Sequence, residues 1–516
     1  RLAWIEHIES KFPFLRNVSS MRMEEQQKEL LHLVEEKQKL SHDILLSKAR
    51  EKVYDDVVFN RLNNRVTYRD LHHQVTKKKK IWPLRKLLSE FADEIFRVLP
   101  CWMASPESVS AIFPMKEMFD IVIFDEASQC FAERGIPAMY RGKQLVVAGD
   151  DKQLKPNELY QIRWEEDNGD LPELEVDSLL DLSERYLPTV HLQGHYRSQS
   201  MELIDFSNKH FYEGRLKLLP DRNILNLDEP AIEYHHVGGV WDNNQNVIEA
   251  TTVVEKVVML LQTKPGKEIG IVTFNAPQQN LIQDMLEQRA MAERLTIPSS
   301  LFIKNIENVQ GDEKDIIIFS VGYAPDKESK MRMQFGSLSM TGGENRLNVA
   351  VTRAREKIIL VCSIHPEEIR VDDIKNEGPR LLRDYLMFAR EVYERKYQPH
   401  VAPSVTKSWT WYLNEQLRQW SESRFDDVKF DVNCLPLADL HFSKAGKHLG
   451  IIMTDDARYY SSLSVKDSFA YVPNLLQQKN WDYHMVFSRN LWQDREKVQD
   501  NLLRFIGTRV VTAAEN

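Results

Sequence analysis

The stretch FDIVIFDEASQC, residues 119–130, runs four apolar residues, Ile121 to Phe124, straight into two adjacent acids, Asp125 and Glu126. A β-branched apolar run of this length reads as a strand buried on both faces. Closing such a strand with two carboxylates is unfavourable unless a cation or a reaction waits there. A second stretch of similar build, LVVAGDDKQLKP (145–156), ends in Gly149 and Asp150, with Gln153 close behind. A small residue lets the backbone turn at the strand end, and the Gln153 amide suits a phosphate oxygen. Ligands of open α/β sheets sit at the carboxyl ends of the strands, so both stretches aim at one crevice.

The bulk composition sets the frame. The chain has 516 residues, 42% hydrophobic and 28% charged, which describes a folded protein of several domains rather than a disordered one. No apolar run approaches the ~18 residues that a membrane helix needs. The sequence opens on Arg1 without an initiator Met or a signal-peptide core, so a fragment or a processed chain is expected. Four cysteines, Cys101, Cys130, Cys362 and Cys434, stand far apart with no CxxC pair. That indicates neither a zinc site nor a disulfide framework, and a reducing, cytoplasmic setting fits best, without excluding a nuclear one. A net charge of -9 argues against a uniformly basic surface, but a local groove can still be positive.

Between Pro13 and Pro83 there is neither Gly nor Pro, and apolar residues recur at Leu30, Leu33, Val34, Leu40, Ile44 and Leu45. The spacing predicts long amphipathic helix, a hairpin or stalk. The KKKK run at 77–80 reads as a solvated helix face. From residue 100 onward apolar strands alternate with helices: IVIF (121–124), QLVVAG (144–149), TVHL (189–192), IGIVTF (269–274), DIIIFSVG (315–322) and KIILVCS (357–363). That is βαβ texture with parallel sheets. The polar, proline-containing stretch at 390–408 reads as a linker.

Further residues fall at the ends of these strands. LQGHYRSQ (192–199) places Arg197 just after a strand, and ENRLNVAVTRARE (344–356) places Arg353 and Arg355 on a helix before the next one. Any single arginine is most simply a surface ion pair; one that reaches a γ-phosphate from a second domain stabilises transition-state charge. NVQGDEKDIIIFS (308–320) sets Gln310, Gly311 and Glu313 ahead of a buried strand, where a carboxylate suits a ribose hydroxyl.

In this order, FDEASQ, GDDKQL, HYRS, VQGDEKDIIIFS and RLNVAVTRAR resemble the motor motifs of superfamily 1 helicases, in the branch of the nonsense-mediated-decay and Dna2-type enzymes. The resemblance covers roughly 100–370. It implies ATP and Mg²⁺ as cofactors and single-stranded or partly duplex DNA or RNA as partner, with no membrane and no protein partner indicated. By the same resemblance Asp125 holds Mg²⁺, Glu126 is the catalytic base, Gln153 senses the γ-phosphate, and Arg197 and Arg353 are the fingers. Asp150, Gly311 and Glu313 join the nucleotide-binding set. PCWMASPESVSAIFP (100–114) is similar to the segment before the acid pair, where a strand follows the nucleic-acid path. TFNAPQQ (273–279) stands where relatives line the nucleic-acid channel, so Thr273 and Asn275 are nucleic-acid candidates, although Asn275 replaces the aromatic that would stack on a base.

One part of the machinery is missing from these residues. A helicase of this class needs GxxxxGK[ST], whose amides cradle the phosphates. The first glycine of the chain is Gly135, after the acid pair, and neither RGKQ (141–144) nor PGKE (265–268) completes the pattern. The expectation is that the cradle lies upstream of Arg1. A pseudo-ATPase is the alternative.

The C-terminal segment NCLPLADLHFSKAGKHLGIIMTDDARYY, with WDYHMVFSRNLW further on, resembles the very-short-patch-repair-like, restriction-endonuclease-like domains found behind some such helicases. The resemblance implies a metal between acids of neighbouring strands. Asp439 matches the first acid. Ile452 occupies the position of the second, and Asp456, in DAR, is its nearest substitute. The expected architecture is α/β, two RecA-like parallel-sheet domains with a helical stalk insertion and a C-terminal α+β domain. Its divisions are 1–99 stalk, 100–180 the later part of the first RecA-like domain, 181–390 the second, 391–408 linker and 409–516 the endonuclease-like domain. Three functions remain open: an ATP-driven helicase or translocase, a non-hydrolysing nucleic-acid-binding scaffold, and a metal-dependent nuclease with a regulatory ATPase.

Overall fold

A computed structural model of the chain describes residues 2–13, 15, 20–54, 57–59, 61–63, 68–156, 176–227, 229–371, 375–397, 412–432, 435–455 and 464–515. It divides into two compact units, Lys28–Val190 and the combination of Arg1–Gln27 with His191–Asn516. The Gly- and Pro-free N-terminal region forms one helix of 35 residues, Ser20–Tyr54. Shorter helices follow at Arg69–Thr76, Leu84–Glu90 and Ala92–Val98. Lys77–Lys80 was expected on a helix face; it lies instead in the bend between two helices, where Lys77 caps the first and Pro83 precedes the second.

In Lys28–Val190, strands β1 (Phe119–Phe124) and β2 (Gly142–Val147) pair in parallel, Ile121 opposite Gln144 and Phe124 opposite Val147. A core of Leu87, Leu88, Ile95 and Phe113 lies beside them, with Phe113 edge-on to Trp102 and Phe119. The buried Arg141 guanidinium donates to the carbonyls of Phe113 (2.9 Å), Pro114 (3.1 Å) and Pro137, which fixes the approach to β1. Two expectations fail here. β1 buries one face rather than two, since Ile121 and Ile123 are exposed. The segment before it carries no strand but a helix, Pro106–Ile112, capped by the Ser105 hydroxyl.

The second unit contains a five-stranded, wholly parallel sheet in the order β3-β7-β6-β4-β5, formed by Ile232–His236 (β3), Ile269–Thr273 (β4), Phe302–Asn305 (β5), Lys314–Ser320 (β6) and Ala354–Cys362 (β7). Every residue of β4 is buried. Helices Val247–Thr263 and Ala276–Glu293 cover the sheet through Val253, Val257, Ile282 and Leu286. TVHL at 189–192 is not a strand: Val190 and Leu192 are exposed, and the nearest pairing is a bridge from Gly194 to Lys217. Arg353 and Arg355 are not helical either, because the helix Gly343–Val351 ends at Thr352 and Arg355 lies within β7.

The helix Glu377–Tyr393 extends into the expected linker, and 398–411 lies outside the described residues. Beyond it a mixed sheet in the order β11-β10-β9-β8 uses Lys429–Val432 (β8), Leu440–Lys444 (β9), Lys447–Thr454 (β10) and Tyr483–Val486 (β11). β10 pairs antiparallel to β9 and parallel to β11, and helices pack on it, an α+β arrangement.

This C-terminal sheet is fastened to the segment 219–226 that precedes β3. Leu219 and Leu225 enter its core beside Ile451, Met453 and Trp481. The Trp481 indole donates to the Pro220 carbonyl at 2.7 Å. Asn226 exchanges hydrogen bonds with the His448 backbone. Arg222 donates to the Asn480 (2.6 Å) and Leu449 (3.1 Å) carbonyls and pairs with Asp482 at 3.1 Å. Removing a half-buried guanidinium that serves three acceptors costs about 2–4 kcal/mol. Arg222→Ala therefore lowers the urea midpoint read from tryptophan fluorescence of the C-terminal sheet, while hydrogen exchange of the β4 amides stays as in the parent.

Candidate functional site

At the end of β1 the backbone turns through Glu126, which has φ 52° and ψ 41°, the left-handed region. A non-glycine residue held there stores strain of order 1 kcal/mol, and such residues gather at functional sites. Ala148 N donates to Phe124 O (2.8 Å) and Ala127 N to Ala148 O (2.9 Å), so the ladder continues past the strands and sets the acid loop beside Gly149. Gly149 serves close approach rather than a special turn: a Cβ there would stand 3.1–3.2 Å from Leu180 and from the Ser128 and Ala127 amides. Asp125 is exposed and accepts the Glu126 amide at 3.0 Å. Asp150 accepts Lys152 N and the Gln153 side-chain amide, both at 2.9 Å. Asp125 and Glu126 line an open pocket of about 490 Å³ whose rim carries the Arg134–Glu107 pair. Burial pushes the Cys130 thiol in its wall upward, so it stays protonated.

In the other unit, four of the predicted residues meet at the amino ends of β6 and β7. Arg197 Nε donates to Glu313 at 2.8 Å and its Nη1 to Thr352 O at 3.3 Å. Arg355 reaches Glu313 at 3.5 Å and pairs with Glu268 and Asp315. Gly311, at φ 82°, makes the left-handed turn ahead of Glu313. Arg353 is buried, and its guanidinium donates to Val349 O, Thr352 Oγ1 and Asp312 O, so in this state it braces the turn into β7 rather than facing outward. His195 packs behind Arg197. Burial, aided by that guanidinium, holds it down to about 4, and its neutral ring accepts the Ser198 amide.

The carboxyl ends of the same sheet hold the other predicted pair. Thr273 is fully buried, its hydroxyl donating to Asn275 O at 2.9 Å, so it shapes the loop instead of lining a surface. Asn275 caps the helix Ala276–Glu293 by accepting Gln278 N at 2.7 Å, and its side-chain nitrogen is buried without a hydrogen-bond partner among the described residues. Beneath them lies a group the sequence reading missed. Glu249, with no solvent exposure, accepts Gly322 N (2.7 Å), Ser320 Oγ (3.1 Å) and Asn246 Nδ2 (3.2 Å). Gln278 trades hydrogen bonds with both backbone groups of Asn246.

In the C-terminal sheet Asp439 stands one residue before β9, not within it, and accepts Thr454 N (2.6 Å) and Oγ1 (3.2 Å). Ile452 is fully buried in the core with Leu440 and Phe442. The Asp455 carboxylate caps the helix Ser488–Gln493 through Ser488 N and Oγ. Asp456 lies outside the described residues. Among the described residues no group of three or more His, Cys, Asp or Glu is placed to hold a metal ion.

Parallel sheets with acids and arginines at their strand ends fit the RecA-like α/β class. Two family profiles, each described as an AAA domain, match residues 14–157 and 176–365. An uncharacterised ATP-dependent helicase of Mycoplasma pneumoniae, the MG140 homolog, is 31% identical over 432 residues, covering 78% of this chain and 38% of that protein. The uncharacterised ATP-dependent helicase MG140 of Mycoplasma genitalium is 36% identical over 334 residues, 61% of this chain and 29% of the relative. Helicase SEN1 of Saccharomyces cerevisiae is 29% identical over 290 residues, 50% of this chain and 12% of its own length. The chain thus spans less than two fifths of each of these relatives. All three relatives are named helicases, two of them ATP-dependent, and residues beyond 365 lie outside both AAA-domain matches.

Burial pushes the Glu249 carboxyl up to about 7 from 4.5, against the hydrogen bonds that lower it. The native state keeps a proton that the unfolded chain releases between those values, so stability falls as pH rises from about 4.5 to 7 and is level above. Glu249→Gln removes that fall. Relative to the parent, the variant gains on the order of 3 kcal/mol across this window, read as a pH-dependent difference in urea midpoints that is flat on either side.

Proposed function

We propose that the chain carries motor elements of an ATP-dependent helicase or translocase that moves along single-stranded or partly duplex DNA or RNA. The observation that carries the reading is the acid pair at the end of β1, held in a strained turn beside an exposed Asp125. Asp125 is a hard oxygen donor and fits Mg²⁺; Glu126 fits the base that orients and deprotonates the attacking water. Gln153, fixed by Asp150, fits a γ-phosphate sensor. Mg²⁺–ATP, when bound, supplies the scissile phosphoryl bond and neutralises its charge.

Arg197 fits the finger. Its present partner is the Glu313 carboxylate, and a phosphate oxygen is a chemically equivalent acceptor. Exchange of one for the other frees Glu313 toward a ribose hydroxyl. Arg353 supports that exchange by fixing the Thr352 turn, on whose carbonyl Arg197 also rests. Thr273 and Asn275 set the loop proposed to lie along the nucleic acid. The absence of GxxxxGK[ST] from the 516 residues means that hydrolysis needs a phosphate cradle from sequence beyond them; it is also the observation that favours a non-hydrolysing scaffold.

The C-terminal unit is proposed to be endonuclease-like in descent and structural in role. The carboxylate of Asp439 is committed to the Thr454 backbone, and the second acid is replaced by a core isoleucine. Mg²⁺-dependent cleavage of single- or double-stranded DNA and RNA by the chain is expected to be nil, and Asp439→Ala to lower the thermal midpoint; cleavage that disappears with Asp439→Ala overturns this. The motor reading is tested by Glu126→Gln in the protein carrying its phosphate cradle. ATP binding persists and steady-state turnover drops by about 10²–10⁴-fold. Undiminished turnover overturns the assignment of Glu126.

A further inference from the structure

The segment KKKKIWPLRK, residues 77–86, carries six cations and no acid in a chain whose net charge is -9. Elsewhere among the described residues cations lie against carboxylates, as Arg134, Lys143, Lys155, Arg222 and Arg355 do. Lys78, Lys79, Lys80 and Arg85 have no acidic partner among the described residues, and all four are exposed. The segment is nonetheless fixed. Trp82 packs into the core of Leu87, Leu88, Ile95 and Phe113 and stacks on Phe91 at 6.4 Å and 25°. Lys86 Nζ stands 3.9 Å and Lys77 Nζ 5.6 Å from the centre of the Trp82 ring, so the indole gathers one cation from each side of the loop. Lys77 also donates to Gln74, and Lys80 holds the left-handed conformation, φ 55°.

Unpaired like charges fixed on a rigid anchor repel one another and concentrate counterions. A partner with anionic groups repeated at short intervals relieves that repulsion and releases those counterions, and a polynucleotide backbone has this form. We infer that the Lys77–Lys86 loop is a phosphate-backbone binding site for single-stranded nucleic acid, outside the motor motifs. The inference rests on the helicase reading for the class of polyanion. The loop reads charge and not sequence, because the Trp82 indole is already committed to the core, to Phe91 and to the Lys86 ammonium rather than presented to a base.

The test uses the chain itself and a fluorescein-labelled single-stranded oligonucleotide, titrated by anisotropy over a salt series. If three lysines each neutralise one phosphate, K78S/K79S/K80S weakens binding about 100-fold near 0.1 M salt and flattens the slope of log K against log salt by about 2. An equal loss of charge at the exposed Lys327, Lys330 and Arg332, all to Ser, leaves the slope unchanged. Parent-like affinity and slope in K78S/K79S/K80S overturn the inference and leave the helicase reading intact. The same loss in both triple variants also overturns it, by reducing the effect to net charge. So does a variant that keeps the oligonucleotide but no longer binds phosphatidylserine vesicles. A parent chain with no salt-dependent oligonucleotide binding at all overturns the helicase reading and the inference with it.

Discussion

Glu249 is a carboxylate with no access to solvent, and the carboxyl end of the five-stranded sheet is organised around satisfying it. The helix Val247–Thr263 starts on Asn246, whose side chain both caps that helix at Glu249 N and donates to Glu249, Gly322 O and Ser363. Gln278, from the first turn of the next crossover helix, bonds the Asn246 backbone and Ser320. Two crossover helices and the end of β6 are therefore welded through one acid. The weld leaves no room for side chains: a Cβ on Gly239 would stand 2.3–2.4 Å from the Asn246 amide and Ser363. An unpaired buried carboxylate costs several kcal/mol; this one is tolerated because burial raises its affinity for a proton and because its oxygens meet several donors.

The opposite end of the sheet obeys a different rule. Arg197, Arg355, Glu313, Glu268 and Asp315 are partly exposed, and each cation there shares carboxylates with another. Partners in such a network exchange without opening the core, since water screens the intermediate arrangements. One end of the sheet is thus rigid and proton-linked, the other exchangeable and suited to trading a carboxylate for a phosphate.

This division explains what was legible in the sequence. β1, β2, β4, β6 and β7 are nearly continuous apolar runs and announce themselves. β3 and β5 lie at the two edges of the sheet, and the alternation of Glu233 and His235 with Ile232 and Tyr234 in β3 hides it from a search for apolar runs. TVHL has the composition of a strand but pairs with no strand among the described residues. The acid pair, Arg197, Gly311 and Glu313 could be picked out by motif order, yet order alone gives no burial, so Arg353 and Thr273 looked outward when both are interior. Glu249 was invisible because, in NVIEATTVV, a lone glutamate reads as the solvated side of a helix. Only the topology that lays Gln278, Ser320 and Gly322 over it makes it interior.

The C-terminal unit is best understood through what it holds. The segment 193–199, which carries Arg197, is laced to 217–221: Lys217 N donates to Gln193 O, His195 N to Lys217 O and Asp221 N to Gln199 O. Gln199 N in turn donates to Arg355 O in β7. The far side of 217–221 is the surface that Trp481, Asn480 and Arg222 fasten to the C-terminal sheet, and Lys479 reaches Tyr196 O directly at 3.4 Å. The Arg197 loop is therefore held between β7 on one side and the C-terminal sheet on the other. In the proposed motor, a sheet whose acids cap its own backbone, and whose edge braces such a loop, acts through position. Its carboxylates need touch no substrate for a shift of the whole unit to move Arg197.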